Sequence, residues 1–443
     1  MRYLLIFALF FSVSLKADMI EALRAYEEKD FVKAKAEFAD LLPLGNDIAA
    51  YNLAAMAHLG QDTASTETEA IALFKFAAFL GHPNAGELAE KLSLKLSAEQ
   101  KTQVETKFKL LQEQLQIAVE PIEVPADFSF VNPTPVRARA AEYPFQAKEA
   151  GLSGFNILRY LVDGEGKVQV VDVLHSYPKE RFDYASVKAL RKWRYEATGE
   201  IRIMHMQFIY ILDDGASFNK AIRLMDEGKI WDYAMLGSAD HQQAMGSLLY
   251  IMHNQSDYKF LIERGGDLAL QRPDFSYIEP RMTAQFRLKE LRGIAIVRTD
   301  DQGVINEIVQ SSELISPKAN ELLKMQIEKV DRAGLFFIGR FPDAPDYEKI
   351  VVTPVAKIPQ NYTASYWWNL AARSGDEKAQ RFLAAFDDKW REYMVSKGDV
   401  SSMTWQGASY IIDGNIKEGN RLLNKAAETG YRSAQELKAF FQP

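Results

Sequence analysis

The sequence contains no cysteine among its 443 residues. It therefore cannot form a disulfide, use a thiol nucleophile, or bind zinc or an iron–sulfur cluster through cysteine. A basic excess is also missing, because 53 Lys and Arg stand against 60 Asp and Glu, which gives a formal net charge of −7. A mild acidic excess without a long basic run argues against nucleic acid as a partner, and we expect none.

Long apolar runs are absent beyond the N-terminus. There, an 11-residue apolar run from Tyr3 to Val13 follows Arg2 and precedes the small residue Ala17. The run is shorter than the ~20 residues of a membrane-spanning helix. This pattern is typical of a cleaved secretory signal. We expect residues 1–17 to be removed and the protein to be periplasmic; in the alternative, an uncleaved segment tethers it to the inner membrane.

The composition is that of a globular protein, with 47% hydrophobic, 12% aromatic and 26% charged residues. Low-complexity and largely disordered classes are thereby excluded. At roughly 150 residues per domain, the chain should form about three folded units.

The pattern A-A-x-x-G-x-x-x-A occurs three times, at residues 77–85, 371–379 and 426–434. Small residues allow two helices to approach closely, and the glycine tolerates the left-handed backbone that ends a helix. Residues 20–95 and 363–438 resemble the Sel-like branch of the tetratricopeptide repeats. The resemblance implies α-helical hairpin repeats, an α-solenoid, at residues 18–116 and 359–443, with a concave surface for a protein partner.

Two further segments are defined by composition. Residues 117–140 contain four prolines and are expected to form an extended linker between domains. Residues 215–292 are interpreted as mostly helical and carry no motif.

From Gly154 the hydrophobic period changes to that of strands. Residues 155–162 and 168–174 are rich in strand formers and are separated by the turn sequence Asp163-Gly164-Glu165-Gly166. An apolar-periodic helix follows from about Phe182, and residues 201–212 are again almost entirely strand formers. The pattern predicts a β-β-α-β unit.

Within this unit, residues 141–214 resemble TonB carboxy-terminal domains. The resemblance is carried by the order and spacing of Tyr143, Pro144, Gly154, Gly164, Gly166, Trp193, Arg194 and Tyr195. It implies a mixed α+β, multidomain chain with a central TonB-like domain between helical repeats.

The resemblance also implies that the last strand is the recognition edge, because TonB domains add a short extended segment of an outer-membrane transporter to their sheet. The strand has no proline and one charge, Arg202, although exposed edges usually carry charges that prevent pairing. We therefore expect it to be covered by an external strand, by this chain or by a second copy. The residues assigned to partner binding are Ile203, Met204, His205, Met206, Gln207, Phe208, Ile209 and Tyr210. Their side chains alternate, the even-numbered ones facing one side of the sheet.

Two departures from the family limit this expectation. Energy-transducing TonB keeps a membrane-spanning helix with a functional histidine and a long proline-rich spacer, whereas the apolar run here contains no histidine and the linker is short. An adaptor or binding module is therefore favoured over an energy transducer.

A second, fainter β-β-α-β pattern covers residues 293–358. Residues 293–297 and 304–309 are strand-like, residues 300–303 form a turn, a helix opens at Ser316-Pro317, and residues 349–357 are the candidate closing strand. The alternative is an unrelated small αβ unit.

No catalytic pattern emerges. The six histidines form neither H-x-x-x-H nor H-E-x-x-H, and no phosphate-binding loop or nucleophile elbow is present. We expect no metal, no cofactor and no enzyme activity; the alternative is an enzyme that uses Asp or Glu pairs. The predicted function is a periplasmic protein-binding module for an envelope or outer-membrane transport protein. The alternative is a structural envelope scaffold in which the sheet mediates self-association, as a homodimer.

Overall fold

The computed structural model describes residues 19–61, 65–124, 135–212, 216–255, 259–263, 284–287, 295–311, 319–327, 330, 333–340 and 349–442. The expected signal, residues 125–134 of the expected linker and the Ser316-Pro317 helix start lie outside these residues. The chain divides into two compact units. One contains residues up to Leu115 together with Arg373–Asp376, and the other contains Gln116–Ala372 and Glu377 onward.

The first unit is helical. Its helices are α1 (Met19–Glu27), α2 (Phe31–Leu41), α3 (Asp47–His58), α4 (Glu67–Phe79), α5 (Ala85–Ser93) and α6 (Ala98–Glu113). Polar side chains fix several of their starts: Asn46 accepts from the Ala49 amide at 2.8 Å, and Thr66 and Glu69 form a capping box at α4. Small and aromatic side chains, such as Ala54 and Phe74, pack between α3 and α4.

The second unit combines helices with two sheets. Its first part contains α7 (Phe145–Glu149), β1 (Gly154–Val162), β2 (Val168–Tyr177), α8 (Asp183–Leu190), β3 (Arg202–Tyr210), α9 (Ala216–Glu227), α10 (Ile230–Met235) and α11 (Ala239–Gln255). Its middle part contains β4 (Lys259–Glu263), β5 (Ala284–Arg287), β6 (Ala295–Thr299), β7 (Ile305–Ser311), α12 (Ala319–Leu322), β8 (Gly334–Arg340) and β9 (Lys349–Pro359). Its last part contains α13 (Ala364–Arg373, which ends in the short segment that groups with the first unit), α14 (Glu377–Leu383), α15 (Asp388–Ser396), α16 (Val400–Ile412), α17 (Ile416–Glu428) and α18 (Arg432–Phe441).

The three A-A-x-x-G sequences each join two helices. The alanine pairs lie in the last turns of α4, α13 and α17. Gly81, Gly375 and Gly430 follow them, with φ of 103°, 99° and 83° respectively. This left-handed backbone ends each helix, as the pattern predicts. Helical hairpins are therefore present, whereas membership in the Sel-like repeats and a solenoid arrangement stay predictions.

The expected linker is not a free spacer over its first residues. Ile117 and Val124 are buried, the Ile122 amide donates to the Asn369 side chain at 2.9 Å, and the Val124 amide donates to Ser365 Oγ at 3.0 Å. Asn369 also donates back to the Ile122 carbonyl at 2.9 Å. Residues 117–124 are thus fixed along α13, because their apolar side chains and their main chain both find partners there.

Residues 215–292, which are interpreted as mostly helical, also contain two strands among the described residues. Helices α9 to α11 occupy residues 216–255, but the strands β4 and β5 follow. Both are short, and a five-residue apolar stretch does not distinguish a strand from a buried helix by its period. Their assignment depends instead on pairing with the distant strand β9.

The two sheets differ in size. The first sheet has three antiparallel strands in the order β2-β1-β3. Within the residues that the structure describes, the second has six strands, in the order β4-β9-β8-β6-β7, with β5 also paired to β9. The expected closing strand at residues 349–357 does not pair with β6; β8 does, and β9 lies on the outer side of β8. The sequence pattern predicts a helix running to about Val330, whereas in the described residues the helix ends at Leu322.

Candidate functional site

The first sheet is built around β1, whose nine residues are all buried. Strand β1 pairs with β2 on one side and with β3 on the other, along its full length from Gly154 opposite Tyr210 to Val162 opposite Arg202. Within the described residues, β3 pairs with no other strand. In this part of the chain, β3 is therefore a terminal strand of the sheet.

The turn between β1 and β2 is held by one aspartate. Asp163 Oδ1 accepts from the amides of Glu165 at 3.0 Å and Lys167 at 2.8 Å. Gly166 has φ of 79°, and a Cβ there would lie 2.1 Å from the Tyr195 carbonyl oxygen. The Tyr195 amide donates to the Gly166 carbonyl at 2.8 Å, which ties the segment after α8 to the turn. A Cβ at Gly164 would likewise lie too close to the backbone of Gly199, 2.9 Å from its carbonyl oxygen.

One face of the sheet packs on α8 and the segment that follows it. Trp193 is buried and donates from Nε1 to the Arg139 carbonyl at 2.9 Å. The Tyr195 hydroxyl lies 2.6 Å from that of Tyr160. Arg194 forms backbone bridges to Arg137 and Lys167. Three side chains from β3 complete this cluster: Met204, Met206 and Phe208.

The Tyr143-Pro144 pair lies at the end of the sheet. The Tyr143 ring makes edge-on contacts with Phe182 and Tyr210, with ring centroids 5.7 and 5.6 Å apart, and its hydroxyl donates to the Leu152 carbonyl. Pro144 immediately precedes α7. Burial raises the pKa of Tyr210 to about 12, and its hydroxyl bonds Ser186 at 2.6 Å. These residues are a packed aromatic group that fixes the end of β3.

The opposite face of the sheet is covered by helices of the same unit. Ile203 packs against the apolar cluster of α16 to α18 that contains Trp405. His205 lies 4.9 Å from the Phe386 ring, and Gln207 accepts a hydrogen bond from the Tyr250 hydroxyl of α11. The even and odd side chains of β3 thus face opposite sides, and both sides are occupied.

An ion pair between a buried arginine and a half-buried aspartate joins this face to the C-terminal helices. Arg159 of β1 and Asp172 of β2 lie 3.7 Å apart, and the Arg159 guanidinium stacks 4.5 Å from the centre of the Trp405 ring. Burial lowers the pKa of Arg159 to about 10, against the raising effect of Asp172. Asp172 accepts from four side chains of α16 and α18 and of the turn before α18: Ser401, Trp405, Tyr431 and Ser433. Sequence reasoning missed this network, because no local pattern pairs residue 172 with residue 431.

The burial of the β3 side chains determines which groups of the strand a partner could contact. Seven of its residues, including Ile203, Ile209 and Phe208, are half-buried, and Met204 and Tyr210 are buried; none is exposed. Their side chains contribute to the faces of the sheet, so a partner at this edge would meet mainly the main chain. Arg194 and the glycines of the motif hold the backbone in place and do not form a second site.

Chemistry-bearing side chains are dispersed in the part of the chain that the structure describes. No group of three or more His, Asp and Glu side chains there could hold a metal ion. His175 lies 2.9 Å from Ser247 Oγ, and His241 lies 2.7 Å from Ser238 Oγ, in separate places. In those same ranges, every helix is too short or too polar to cross a membrane.

Comparison with known proteins identifies the region around the first sheet. Residues 139–210 match the family model described as Gram-negative bacterial TonB protein C-terminal. The chain is also similar to the solution NMR structure of the Pseudomonas aeruginosa TonB CTD, with 26% sequence identity over 18% of this chain and 87% of that chain, and a TM-score of 0.17. A search of curated proteins gave no match. The chain therefore carries a TonB C-terminal-like region within a larger mixed α and β protein.

Proposed function

We propose that the chain is a protein-binding module of the bacterial envelope that takes an extended segment of an envelope or outer-membrane transport protein as a fourth strand on β3. The match of residues 139–210 to the TonB C-terminal family supports an envelope interaction role. In this proposal the protein acts in the periplasm, without catalysis or a cofactor, and its helical hairpins are interaction scaffolds.

The observation that carries the proposal is the combination of a terminal strand with two covered faces. Strand β3 is the last strand of its sheet within the described residues, while α8 covers one face and α11, Phe386 and α16 to α18 contact the other. A partner cannot reach the faces, but strand addition needs only main-chain groups along an edge. Affinity would then come from the ladder, and selectivity from side chains that flank it.

Proline substitution at two neighbouring positions tests strand addition. Successive residues of a strand direct their amides to opposite sides. Of the two single variants Phe208→Pro and Ile209→Pro, one therefore removes a donor that points toward β1 and the other removes a donor that points away from it. We expect the variant that keeps the folded sheet to bind the partner peptide at least about tenfold more weakly. The reason is that it loses one main-chain hydrogen bond to the peptide and its proline ring obstructs the added strand. The probe is a set of fluorescent peptides that copy the N-terminal segments of outer-membrane transporters, measured by anisotropy with the full chain.

The control is Glu165→Ala in the exposed β1–β2 turn, which should leave binding unchanged. Near-ultraviolet circular dichroism and the melting temperature identify which proline variant is still folded. Equal affinity of that variant and the parent would show that the β3 edge is not the recognition surface, and the helical hairpins would become the better candidate.

Self-association is the second candidate, because the same terminal strand in two copies could pair across a twofold axis. Light scattering coupled to size exclusion distinguishes the two. A monomer that binds the peptides supports partner recognition, whereas a dimer that dissociates in the folded proline variant supports the scaffold.

A further inference from the structure

The second sheet repeats the arrangement of the first. Strands β6 and β7 form an antiparallel hairpin, α12 follows, and β8 returns to pair antiparallel with β6 on the side away from β7. The order β7-β6-β8 is thus the order β2-β1-β3. In both sheets, the last residue of the central strand lies opposite the first residue of the returning strand. These pairs are Thr299 and Gly334 in the second sheet, and Val162 and Arg202 in the first.

The hairpin turns of the two sheets share their hydrogen bonds. Asp300 Oδ1 accepts from the amides of Gln302 at 2.9 Å and Val304 at 3.0 Å, as Asp163 Oδ1 accepts from Glu165 and Lys167. Gly303 takes the place of Gly166, with φ of 77° against 79°. A Cβ at Gly303 would lie 1.9 Å from the Val330 carbonyl oxygen, so both turns are closed over by a later segment.

The segment after each helix makes the same return contact. The Ile327 amide donates to the Gly303 carbonyl at 2.8 Å, which matches the 2.8 Å bond from Tyr195 to Gly166. Leu322 at the end of α12 and Leu190 at the end of α8 are both fully buried, at 1% and 0% exposure. The two sheets therefore agree in strand order, turn bonds and helix-end bonds, although the W-R-Y sequence of the first is replaced by Met325, Gln326 and Ile327.

The outer edge of the last strand is where the copies differ. In the second sheet, β9 lies antiparallel on β8 over five residue pairs, from Phe336 opposite Pro354 to Arg340 opposite Ile350. Ile338, which faces Ala295 of β6 and Val352 of β9, corresponds in register to Met206, which faces Leu158 of β1. Strand β9 therefore occupies on β8 the place that an added strand would occupy on β3.

We propose that residues 295–340 form a second unit of the same kind whose strand-accepting edge is filled by β9 of the same chain. Because the edge of β8 is filled, β3 is the one of these two corresponding strands whose outer edge pairs with no strand in the described part of the chain. That β3 accepts a partner there rests on the proposed function. Strand β9 also shows which chemistry such an edge accepts: the segment on β8 is uncharged and largely β-branched (Ile350 to Pro354), and its Val352 is buried.

The far side of β9 explains why it stays in place. Residues Lys349–Val352 pair with β5 and Val355–Pro359 pair with β4, so β9 is an interior strand. Pro354 falls between these two pairings, where its missing amide interrupts neither ladder. A segment held on both sides is a permanent part of the fold.

Substitution of Val352 tests whether β9 closes β8. Val352 pairs with Ile338 on one side and with Ala284 on the other, so Val352→Pro removes a ladder donor whichever way the amide points. In the full chain, we expect hydrogen exchange of residues 334–340 to rise by roughly tenfold or more while residues 154–162 keep their protection. Adding a synthetic peptide that copies residues 349–359 should restore protection of 334–340. The control Val352→Ala keeps the amide and should retain most of the protection.

Three results would overturn the proposal: unchanged protection in Val352→Pro, equal loss in Val352→Ala, or no recovery with the peptide. None involves a transporter segment, so this test fails or succeeds independently of strand addition at β3. If Val352→Pro does not fold, two double variants replace it: Ile338→Cys with Val352→Cys, and Gly339→Cys with Val351→Cys. In a chain without other cysteines, one of these two pairs should form a disulfide on mild oxidation, and failure of both would show that β9 does not lie on β8.

Discussion

The Asp172 carboxylate accepts hydrogen bonds from four side chains of the C-terminal helical region and lies beside the buried Arg159. Removing the aspartate leaves the charge of the buried Arg159 without compensation. We expect Asp172→Ala to lower the free energy of unfolding by about 3 to 5 kcal/mol, measured by urea unfolding. The double variant Arg159→Met, Asp172→Leu should cost clearly less, and a larger loss in the double variant would contradict this account.

Trp193 is the largest side chain in the cluster below the sheet, and its indole also donates to the Arg139 carbonyl. Trp193→Ala should lower the free energy of unfolding by roughly 3 to 5 kcal/mol because it leaves a cavity and an unsatisfied carbonyl. Trp193→Phe keeps an aromatic ring and should lose less. A melting temperature of Trp193→Ala equal to that of the parent would show that the ring is not part of the core.

Two histidines on the covered face predict acid sensitivity. Burial lowers the pKa of His175 to about 4, and burial together with the cations Arg159 and Arg391 lowers that of His205 to about 3. The unfolded chain binds these protons near pH 6.5, so stability is complete above that pH and is lost as the pH falls toward 4. From pH 7 to 5 we expect a loss of about 2 kcal/mol per histidine. His205→Gln should flatten the pH dependence of urea unfolding, and an unchanged slope would rule out this residue as a source.

At the scale of elements, the hairpin of α16 and α17 depends on two glycines. A Cβ at Gly419 would lie 2.7 Å from the Gly407 carbonyl oxygen and 2.6 Å from the Ile411 side chain. Gly419→Val should force the helices apart and cost about 1 to 3 kcal/mol, with a matching fall in melting temperature. The control is Lys417→Val two residues earlier, on the exposed side of α17. Equal melting temperatures of the two variants would show that close helix approach is unimportant here.

Local patterns predicted the elements that local physics decides. The turn at Asp163, the alternation along β3 and the glycines that end α4, α13 and α17 depend on residues within a few positions of one another. Strands β4, β5 and β8 could not be assigned in this way, because short apolar stretches become strands only when a distant partner offers a ladder. The coverage of the first sheet by α16 to α18 was hidden for the same reason, since Asp172 and Tyr431 are 259 positions apart.

At the scale of the whole molecule, the TonB-like sheet is not an independent module. Leu161 and Val170 belong to one core with Met403, Trp405 and Leu423. A chain ending at residue 399 would expose this apolar face and leave the Arg159–Asp172 pair without most of its partners. We expect that truncation to aggregate or to bind a hydrophobic dye strongly, in contrast to the full chain. A soluble, dye-negative and cooperatively unfolding truncation would show that the C-terminal helices are dispensable for the sheet.

The central place of β1 has a mechanical consequence. Strand β3 is fastened to β1 by nine residue pairs, and β1 is fastened in turn to β2 and, through Arg159, to the C-terminal helices. A strand added to β3 would be held on one side alone. Under tension from a partner, this outer ladder would carry the whole load with the fewest attachments, so it would part first and the sheet beneath it would keep its shape. The ladder between β3 and an added strand would thus be the weakest connection, and the protein would release a partner under tension without unfolding.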